Sequence, residues 1–224
     1  MCIICNNELD NLNIKLTIQV CSKLIKIPKL KNVKWLEIIQ CKNLIEIEDS
    51  DDILVLIIIG CPNIKKLPKF NNLKGLKLQC KGLEYLNAYP KLERLELHNE
   101  YINDIPEYPN LTSLYLNHVN TIQLKNYPKL LELYIYNSKK IMIIPYYENI
   151  TKFEFHSCPN LLSINNINKI IKNNKLKNST ILNCKYIKDI IINNNNIDNN
   201  ILSLSPSGIL LKNKINIIKK KIDF

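Results

Sequence analysis

Residues 33–47 read VKWLEIIQCKNLIEI and residues 53–67 read ILVLIIIGCPNIKKL, so the same order of apolar and polar positions returns after 20 residues. The two stretches share the pattern L-x-x-L-x-L-x-x-C-x-x-L-x-x-I/L, where L stands for any aliphatic residue. Its central L-x-L segment alternates with period 2, which predicts a short β-strand with one buried face. One such unit cannot bury its apolar face alone, so the pattern predicts a stack of neighbouring units.

The pattern continues in both directions, from about residue 12 to residue 164, at intervals of 19 or 20 residues. Two markers keep this interval: a cysteine at positions 21, 41 and 61, and a Tyr-Pro dipeptide that starts at positions 89, 108 and 127. A fixed interval of this length predicts a solenoid whose strands form a parallel sheet. About eight units can be aligned, and in the sixth the positions predicted to face the core are Leu111, Leu114, Leu116, Ile122 and Leu124.

The aligned units resemble the leucine-rich repeat family over roughly residues 12–164. The resemblance implies a leucine-rich-repeat solenoid with a parallel β-sheet on its concave face. Such short units leave few residues for the convex side, which we expect to be extended or a 3₁₀ turn, with helical content mainly near the C-terminus. The recurring Ile-Pro and Tyr-Pro pairs favour extended backbone, because proline restricts the residue before it. The chain is similar to the proline-marked repeats of bacterial effectors and to leucine-rich repeat proteins encoded by giant DNA viruses.

The chain is predicted to have four segments: an N-terminal cap segment (1–12), leucine-rich repeats (13–164), degenerate repeats with an Asn-rich loop (165–208) and a basic C-terminal capping helix (209–224). Within the third segment we expect a weak further unit at Ile181 and Cys184, a short helix near 167–172, the loop at 193–200 and a last strand at 201–204. The C-terminal helix is predicted from the helical spacing of Leu211, Ile215, Ile218 and Ile222.

Positive charge is concentrated in the last two segments. Residues 1–164 carry 20 basic and 17 acidic residues, whereas residues 165–224 carry 11 basic and 3 acidic ones. A solenoid needs a polar-faced cap at its open end, which is the first interpretation of the basic helix. The alternative is a contact of Lys212–Lys221 with an anionic surface. The helix lacks the interleaved aromatic residues of a nucleic-acid stacking platform, so nucleic acid is not the expected partner.

The cysteines are predicted to be structural. Six of them occupy the turn position where this family uses Asn or Cys, and we expect a ladder of side chains bonded to the backbone of adjacent turns: Cys21, Cys41, Cys61, Cys80, Cys158 and Cys184. Only Cys2 and Cys5 have the C-x₂-C spacing of a metal site, and no second pair stands near them, so no metal is expected. Disulfides are not expected either, because intracellular thiols stay reduced.

No enzyme is predicted. The three histidines are isolated in sequence, the cysteines are assigned to the interior, and no P-loop, dinucleotide fingerprint or G-x-S-x-G motif is present. No cofactor and no small-molecule substrate are expected. The acidic run Glu46–Asp52 lacks the D-x-D-x-D-G pattern of a calcium loop and is interpreted as a solvated convex-side loop.

A partner is expected on the concave face, where the residues beside the inward leucines point outward. An apolar patch is predicted near the N-terminal end and a Tyr-rich stretch further along, and both residue types are typical of interfaces. The N-terminal segment folding over the patch, or two chains packing there, are the alternatives for the patch. The candidate residues are Trp35, Glu37, Ile39, Val55, Ile57, Ile59, Arg94, Glu96, His98, Tyr115, Tyr134, Tyr136, Lys152, Glu154 and His156.

These observations predict a non-enzymatic protein–protein interaction scaffold that binds a protein partner on its concave repeat face. Two alternatives are a substrate-recognition adaptor or effector of a ubiquitin-type pathway, and a basic peripheral binder of anionic surfaces. The flanks are expected to be too short for an F-box or a ligase domain. No secretory leader is apparent, and the longest apolar run has seven residues against the roughly 20 of a membrane span. We therefore expect a cytoplasmic protein, in the host cytoplasm if the chain is viral.

Overall fold

In-register repetition of the L-x-L strand produces a parallel β-solenoid of about eight stacked turns, as predicted. The structure, a computed structural model, describes residues 4–6, 14–165, 170, 176–177, 179–187, 190–193 and 196–197. Its strands are β1 (Lys15–Gln19), β2 (Lys26–Ile27), β3 (Trp35–Ile39), β4 (Glu46–Ile47), β5 (Val55–Ile59), β6 (Gly75–Gln79), β7 (Arg94–His98), β8 (Ser113–Asn117), β9 (Glu132–Tyr136), β10 (Ile143–Ile144), β11 (Lys152–His156), β12 (Ser163–Ile164), β13 (Ser179–Leu182), β14 (Ile190–Asn193) and β15 (Asn196–Ile197).

One large sheet runs the length of the solenoid in the order β1-β3-β5-β6-β7-β8-β9-β11-β13-β14-β15. The first nine strands pair in parallel, with each residue opposite its repeat equivalent. The last two pairs, β13–β14 and β14–β15, are antiparallel. The described end of the sheet is therefore a hairpin and not a further repeat.

The second side of the solenoid contains little regular structure. Two-residue strands pair there as β2–β4 and β10–β12, and turns and irregular backbone make up the rest. A 3₁₀ turn is absent from the described part of this side. Short extended stretches therefore occur on this side in the first two and the last two repeat turns, and irregular backbone completes the circuit in most of the others.

Alternate strand residues are buried, as the period-2 pattern predicts. In β3, for example, Leu36 and Ile38 are fully buried whereas Trp35 is exposed. The sixth unit differs from its alignment: Ile122 is exposed, and Thr121 is buried in its stead with its hydroxyl bonded to the Gln123 carbonyl at 3.0 Å. The predicted core position at Ile122 was therefore wrong by one residue.

A column of stacked aromatic rings fills the core between the two sides. Neighbouring ring centroids are 6.1 to 6.5 Å apart, and the rings belong to Phe70, Tyr89, Tyr108, Tyr127 and Tyr147. All five side chains are buried. The column was not predicted from the Tyr-Pro dipeptides, whose prolines alone indicate extended backbone, although the regular interval of their tyrosines is the signal for it.

The tyrosine hydroxyls of the column differ in their hydrogen bonding from turn to turn. Tyr108 donates to the Asn87 carbonyl at 3.0 Å, and Tyr147 donates to the Lys125 carbonyl at 2.9 Å. The hydroxyl of Tyr127 is buried and has no hydrogen-bond partner of ordinary geometry among the described residues. A buried hydroxyl without a partner is a net cost to stability.

A second column consists of the turn cysteines. Cys41, Cys61, Cys80, Cys158 and Cys184 are buried, and Cys21 is half-buried. Each of the five buried thiols lies 3.5 to 4.0 Å from a backbone carbonyl of the preceding turn: Cys41 with Ile18, Cys61 with Ile38, Cys80 with Ile58, Cys158 with Ile135, and Cys184 with Phe155. Burial raises the pKa of Cys61 to about 11 and that of Cys80 to about 12.

Asn99 takes the cysteine position in the fifth turn. Its amide donates to the Cys80 and Leu83 carbonyls at 2.6 and 3.0 Å, while its oxygen accepts from the Tyr101 and Ile102 amides. Asparagine satisfies four backbone groups where cysteine contacts one or two. The two residue types therefore share the position because both are small enough to be buried and can bond the backbone of the neighbouring turn.

Asparagine amides also link successive turns at the surface, a role that the sequence analysis did not assign. Each donates at 2.7 to 2.9 Å to a backbone carbonyl 20 or 21 residues earlier, as do Asn43, Asn63, Asn110, Asn149 and Asn160. The acidic run 46–52 behaves similarly. Glu48 bonds Lys26 at 2.7 Å, and Asp52 accepts from the Asn32 amide at 2.9 Å and from Lys34 at 3.0 Å. The acidic side chains of the run are exposed or half-buried, and two of them tie the second turn to the first.

Several predicted features lie outside the described residues. These are the strand at 201–204, the capping helix at 209–224 and, apart from the helical Ile170, the short helix at 167–172. Of the N-terminal cap segment, residues 4–6 are described, and Ile4 is buried in the core. The Asn-rich loop predicted over 193–200 contains part of a hairpin instead, with β15 at its centre. No helix in the described part of the chain is long and apolar enough to cross a bilayer.

The tyrosine column gives a matched test of buried hydroxyls. Tyr108→Phe removes a bonded hydroxyl and leaves the Asn87 carbonyl without it, so the free energy of unfolding should fall by about 1 kcal/mol. Tyr127→Phe removes an unbonded hydroxyl and should be neutral or stabilising by up to about 1 kcal/mol. Urea unfolding followed by circular dichroism measures both. Equal losses in the two variants would contradict the assignment.

Alkaline titration should unfold the solenoid. Burial raises the pKa of Tyr89, Tyr108, Tyr127 and Tyr147 above the value of about 10 in an unfolded chain. Because the unfolded state then loses these protons first, stability is intact below pH of about 10 and falls as the pH rises beyond it. Tyrosinate absorbance at 295 nm should rise together with the loss of circular dichroism. Full ionisation of all 11 tyrosines in a still-folded chain would refute this.

Candidate functional site

The candidate binding residues all lie on one surface, which we call the open sheet face. Eight five-residue strands form this face: β1, β3, β5, β6, β7, β8, β9 and β11. In each of them, the side chains at the first, third and fifth positions point away from the core. Parallel pairing without a register shift aligns equal positions into three rows across the strands. Residues far apart in sequence are thereby brought side by side.

The N-terminal part of the open sheet face is an apolar patch made of Trp35, Ile39, Val55, Ile57 and Ile59. Trp35 lies opposite Val55 and Ile39 opposite Ile59, so the five side chains are contiguous across β3 and β5. Trp35 is 37% exposed and the other four are half-buried. The core does not require these residues, because the inward positions of the same strands are already aliphatic.

Further along the sheet lies an aromatic strip made of His98, Tyr115, Tyr134, Tyr136 and His156. Ring centroids are 5.2 Å apart from His98 to Tyr115, from Tyr115 to Tyr136 and from Tyr136 to His156, and Tyr134 lies 6.1 Å from Tyr115. The four pairs have interplanar angles of 23° to 33°. Since the rings cover one another's faces, the strip presents mainly ring edges, hydroxyls and imidazole nitrogens to a partner.

Carboxylates hold the strip at both ends. Glu96 bonds Lys77 at 2.7 Å and His98 at 3.0 Å. Glu154 bonds Lys152 at 2.9 Å and accepts from the Tyr136 hydroxyl at 2.5 Å. Partial burial works against ionisation of Glu154, but the hydrogen bonds from Tyr136 and Lys152 outweigh it and lower its pKa, so it is a carboxylate at neutral pH.

The charges of the face are largely compensated within the chain. Lys152 also lies over the Tyr134 ring, with its Nζ 5.1 Å from the centroid, and Lys15 lies 5.2 Å over Trp35. Arg94 is exposed, lies next to Gly75 in the sheet, and makes no ion pair with any residue that the structure describes. It is therefore an exposed cation of the open sheet face.

A groove joins the apolar patch to the aromatic strip. Its volume is about 740 Å³, and its lining includes Ile59 from the patch, His98 from the strip, and Gln79 and Asn117 between and beyond them. The groove follows the ends of the strands, where the chain turns away from the sheet. The groove thus contacts the two predicted parts at one residue each, and the turns after the strands supply most of its remaining lining.

The described residues do not present a catalytic constellation. No group of three or more His, Cys, Asp and Glu side chains among them is placed to hold a metal ion. His98 and His156 belong to the aromatic strip, while His118 lies in a turn with a φ of 53°. The buried thiols of Cys61 and Cys80 have raised pKa values, and a protonated thiol is a poor nucleophile.

The sequence placed the residues of the face but not their mutual contacts. Stacking within the strip depends on side-chain rotamers, and the carboxylate pairs depend on which neighbours those rotamers leave open. No family model matches the chain, and no match is found among curated proteins or solved structures. Function must therefore be argued from the open sheet face itself.

The strip should behave as one coupled unit. Aromatic pairs of this kind contribute about 0.5–1.5 kcal/mol beyond area burial, so a double-mutant cycle between Tyr115→Ala and Tyr136→Ala should show a coupling of that size. Urea unfolding supplies the four free energies. A cycle between Tyr115→Ala and Tyr101→Ala, whose side chain lies outside the face, is the control and should be additive. Additivity in both cycles would refute the stacked arrangement.

Proposed function

We propose that this chain is a non-enzymatic scaffold that binds a protein partner through the open sheet face. The observation that carries the proposal is the composition of that face: an apolar patch and a stacked aromatic strip lie on the same side of one sheet, and a groove at the strand ends contacts both. Neither part is needed for the core. Exposed apolar surface of this kind, next to Tyr, Trp and Arg side chains, is typical of protein interfaces.

The geometry of the strip favours a protein over a sugar or a free base. Ligands that stack need an open ring face, and the faces of these rings are covered by their neighbours. Edges, hydroxyls and imidazole nitrogens instead offer hydrogen bonds and compact apolar contact to a polypeptide surface. Stacking also fixes the rotamers before binding, which reduces the entropy lost on association.

The charges of the face suit burial against a partner. Lys77 with Glu96, and Lys152 with Glu154, are already paired, so covering them does not strand a single charge. Arg94 and Glu132 make no ion pair with a described residue, and a partner carboxylate opposite Arg94 would supply its counter-charge. Arg94 should therefore help to fix the orientation of the partner.

We also propose that the chain is a member of the leucine-rich repeat proteins and works in the cytoplasm. The 19–20-residue interval, the single L-x-L strand per turn, and the Cys or Asn side chain bonded to the neighbouring turn support membership. Cysteines at five core positions suit a compartment that keeps thiols reduced.

The test compares two variants that differ in where they are changed. The face variant carries Ile57→Lys and Tyr134→Ala; the control carries Ile45→Lys and Tyr101→Ala, two exposed positions outside the face. Immobilised wild-type chain is incubated with cell lysate, and retained proteins are quantified by mass spectrometry. The face variant should lose at least about tenfold of the retention that the control keeps, since two interface anchors contribute more than about 1.4 kcal/mol.

Two checks keep this test decisive. Circular dichroism must show the same β signal in both variants and wild type. A photo-crosslinking residue at position 134 should capture the retained protein, whereas one at position 101 should not. Equal retention by the two variants, or crosslinking only from position 101, would overturn the proposal.

A further inference from the structure

The N-terminal residues meet the first turn of the solenoid through two cysteines. The Sγ atoms of Cys5 and Cys21 are 3.5 Å apart, although the residues are separated by 16 positions in the chain. Cys5 is exposed, and Cys21 is half-buried. The residue before Cys5, Ile4, is buried in the core, so this short segment is seated on the end of the stack by an apolar anchor.

Cys21 is the first residue of the cysteine column, and it is more exposed than the other cysteines of that column. The next rungs, Cys41 and Cys61, are fully buried and lie beside backbone carbonyls of the preceding turn. Among the described residues no strand precedes β1, and the Cys5 thiol lies beside that of Cys21. A structural position of the repeat is thus converted into a pair of neighbouring thiols that solvent can reach.

We propose that Cys5 and Cys21 are a disulfide site, and that the bond clamps the N-terminal residues onto the first turn when a small disulfide oxidant is present. Exposure makes Cys5 the attacking thiol: its thiolate displaces one half of oxidised glutathione, which leaves as a thiolate, and a mixed disulfide forms on Cys5. The Cys21 thiolate then attacks Cys5 and releases the second glutathione. Two protein thiols are oxidised and one glutathione disulfide is reduced to two thiols.

The position of this site gives the bond a structural effect. Among the described strands β1 is the edge of the large sheet, and the end turn of a solenoid lacks one neighbour. A bond that closes the short loop between Cys5 and Cys21 restricts the unfolded chain and keeps Ile4 over the open end. The oxidised chain should therefore resist unfolding better than the reduced chain.

Mass spectrometry of the full chain tests the bond. Reduced protein is incubated with oxidised glutathione at about pH 8, remaining thiols are alkylated, and peptides are mapped. We expect a loss of about 2 Da and a peptide linking Cys5 with Cys21. Cys5→Ser and Cys21→Ser should abolish it, and Cys2→Ser, the matched control, should leave it unchanged. Three results would each overturn the proposal. The first is a disulfide that links Cys2 to Cys5 or to Cys21. The second is a disulfide between Cys158 and Cys184 alone, and the third is glutathione that stays on Cys5 because the bond to Cys21 does not form.

Thermal unfolding tests the clamp. Oxidation should raise the Tm of wild type and of Cys2→Ser by on the order of 5 °C, and dithiothreitol should reverse the shift. Cys5→Ser changes an exposed residue, should fold normally, and should show no shift. A mapped Cys5–Cys21 bond without any change in Tm would refute the clamp, and a shift that persists in Cys5→Ser would assign it to another site.

Discussion

The structure depends on one constraint: no turn can bury its own apolar side chains, so each turn needs a neighbour aligned with it residue for residue. Parallel pairing without a register shift satisfies this constraint, because Leu36 stands over Leu56 and Ile38 over Ile58 throughout the stack. The same alignment stacks whatever else the turns carry. Tyrosines form a core column, cysteines form a second one, and asparagine amides reach the carbonyls of the turn before. Each column gains from repetition and has no function in a single turn.

The open sheet face is a product of the same alignment. Rows of equal strand positions collect residues from eight turns, so a substitution in any turn changes the surface locally without disturbing the core. The face therefore differs from end to end: Trp and aliphatic residues lie on β3 and β5, Lys77, Arg94 and Glu96 lie on β6 and β7, and the aromatic strip extends from His98 on β7 to His156 on β11. A repeated scaffold with a varied face is well suited to recognising one irregular partner surface.

Much of the fold could be predicted from sequence, because the period and the L-x-L alternation fix strand, register and burial together. The prediction was wrong at Ile122, where the sixth turn shifts its buried residue to Thr121, since an alignment by period cannot detect a local change in turn conformation. The antiparallel β14 and β15 were not predicted, because the repeat pattern carries no information past its last unit. For the candidate site, the alternation along each strand predicted which residues lie on the open sheet face. It could not give the stacking of Tyr115 on Tyr136 or the meeting of Cys5 with Cys21, which depend on rotamers and chain path.

The hairpin at the described end of the sheet also has a consequence for self-assembly. A parallel stack of near-identical turns is open to unlimited growth, because β1 of a second copy could add to the last parallel strand and extend the solenoid into a fibre. The antiparallel β14 covers that strand, and β15 beyond it has two residues. Reversal of strand direction changes the hydrogen-bond pattern that an incoming β1 would have to match. The described end of the sheet therefore does not offer an incoming β1 the parallel pairing that joins the repeats to one another.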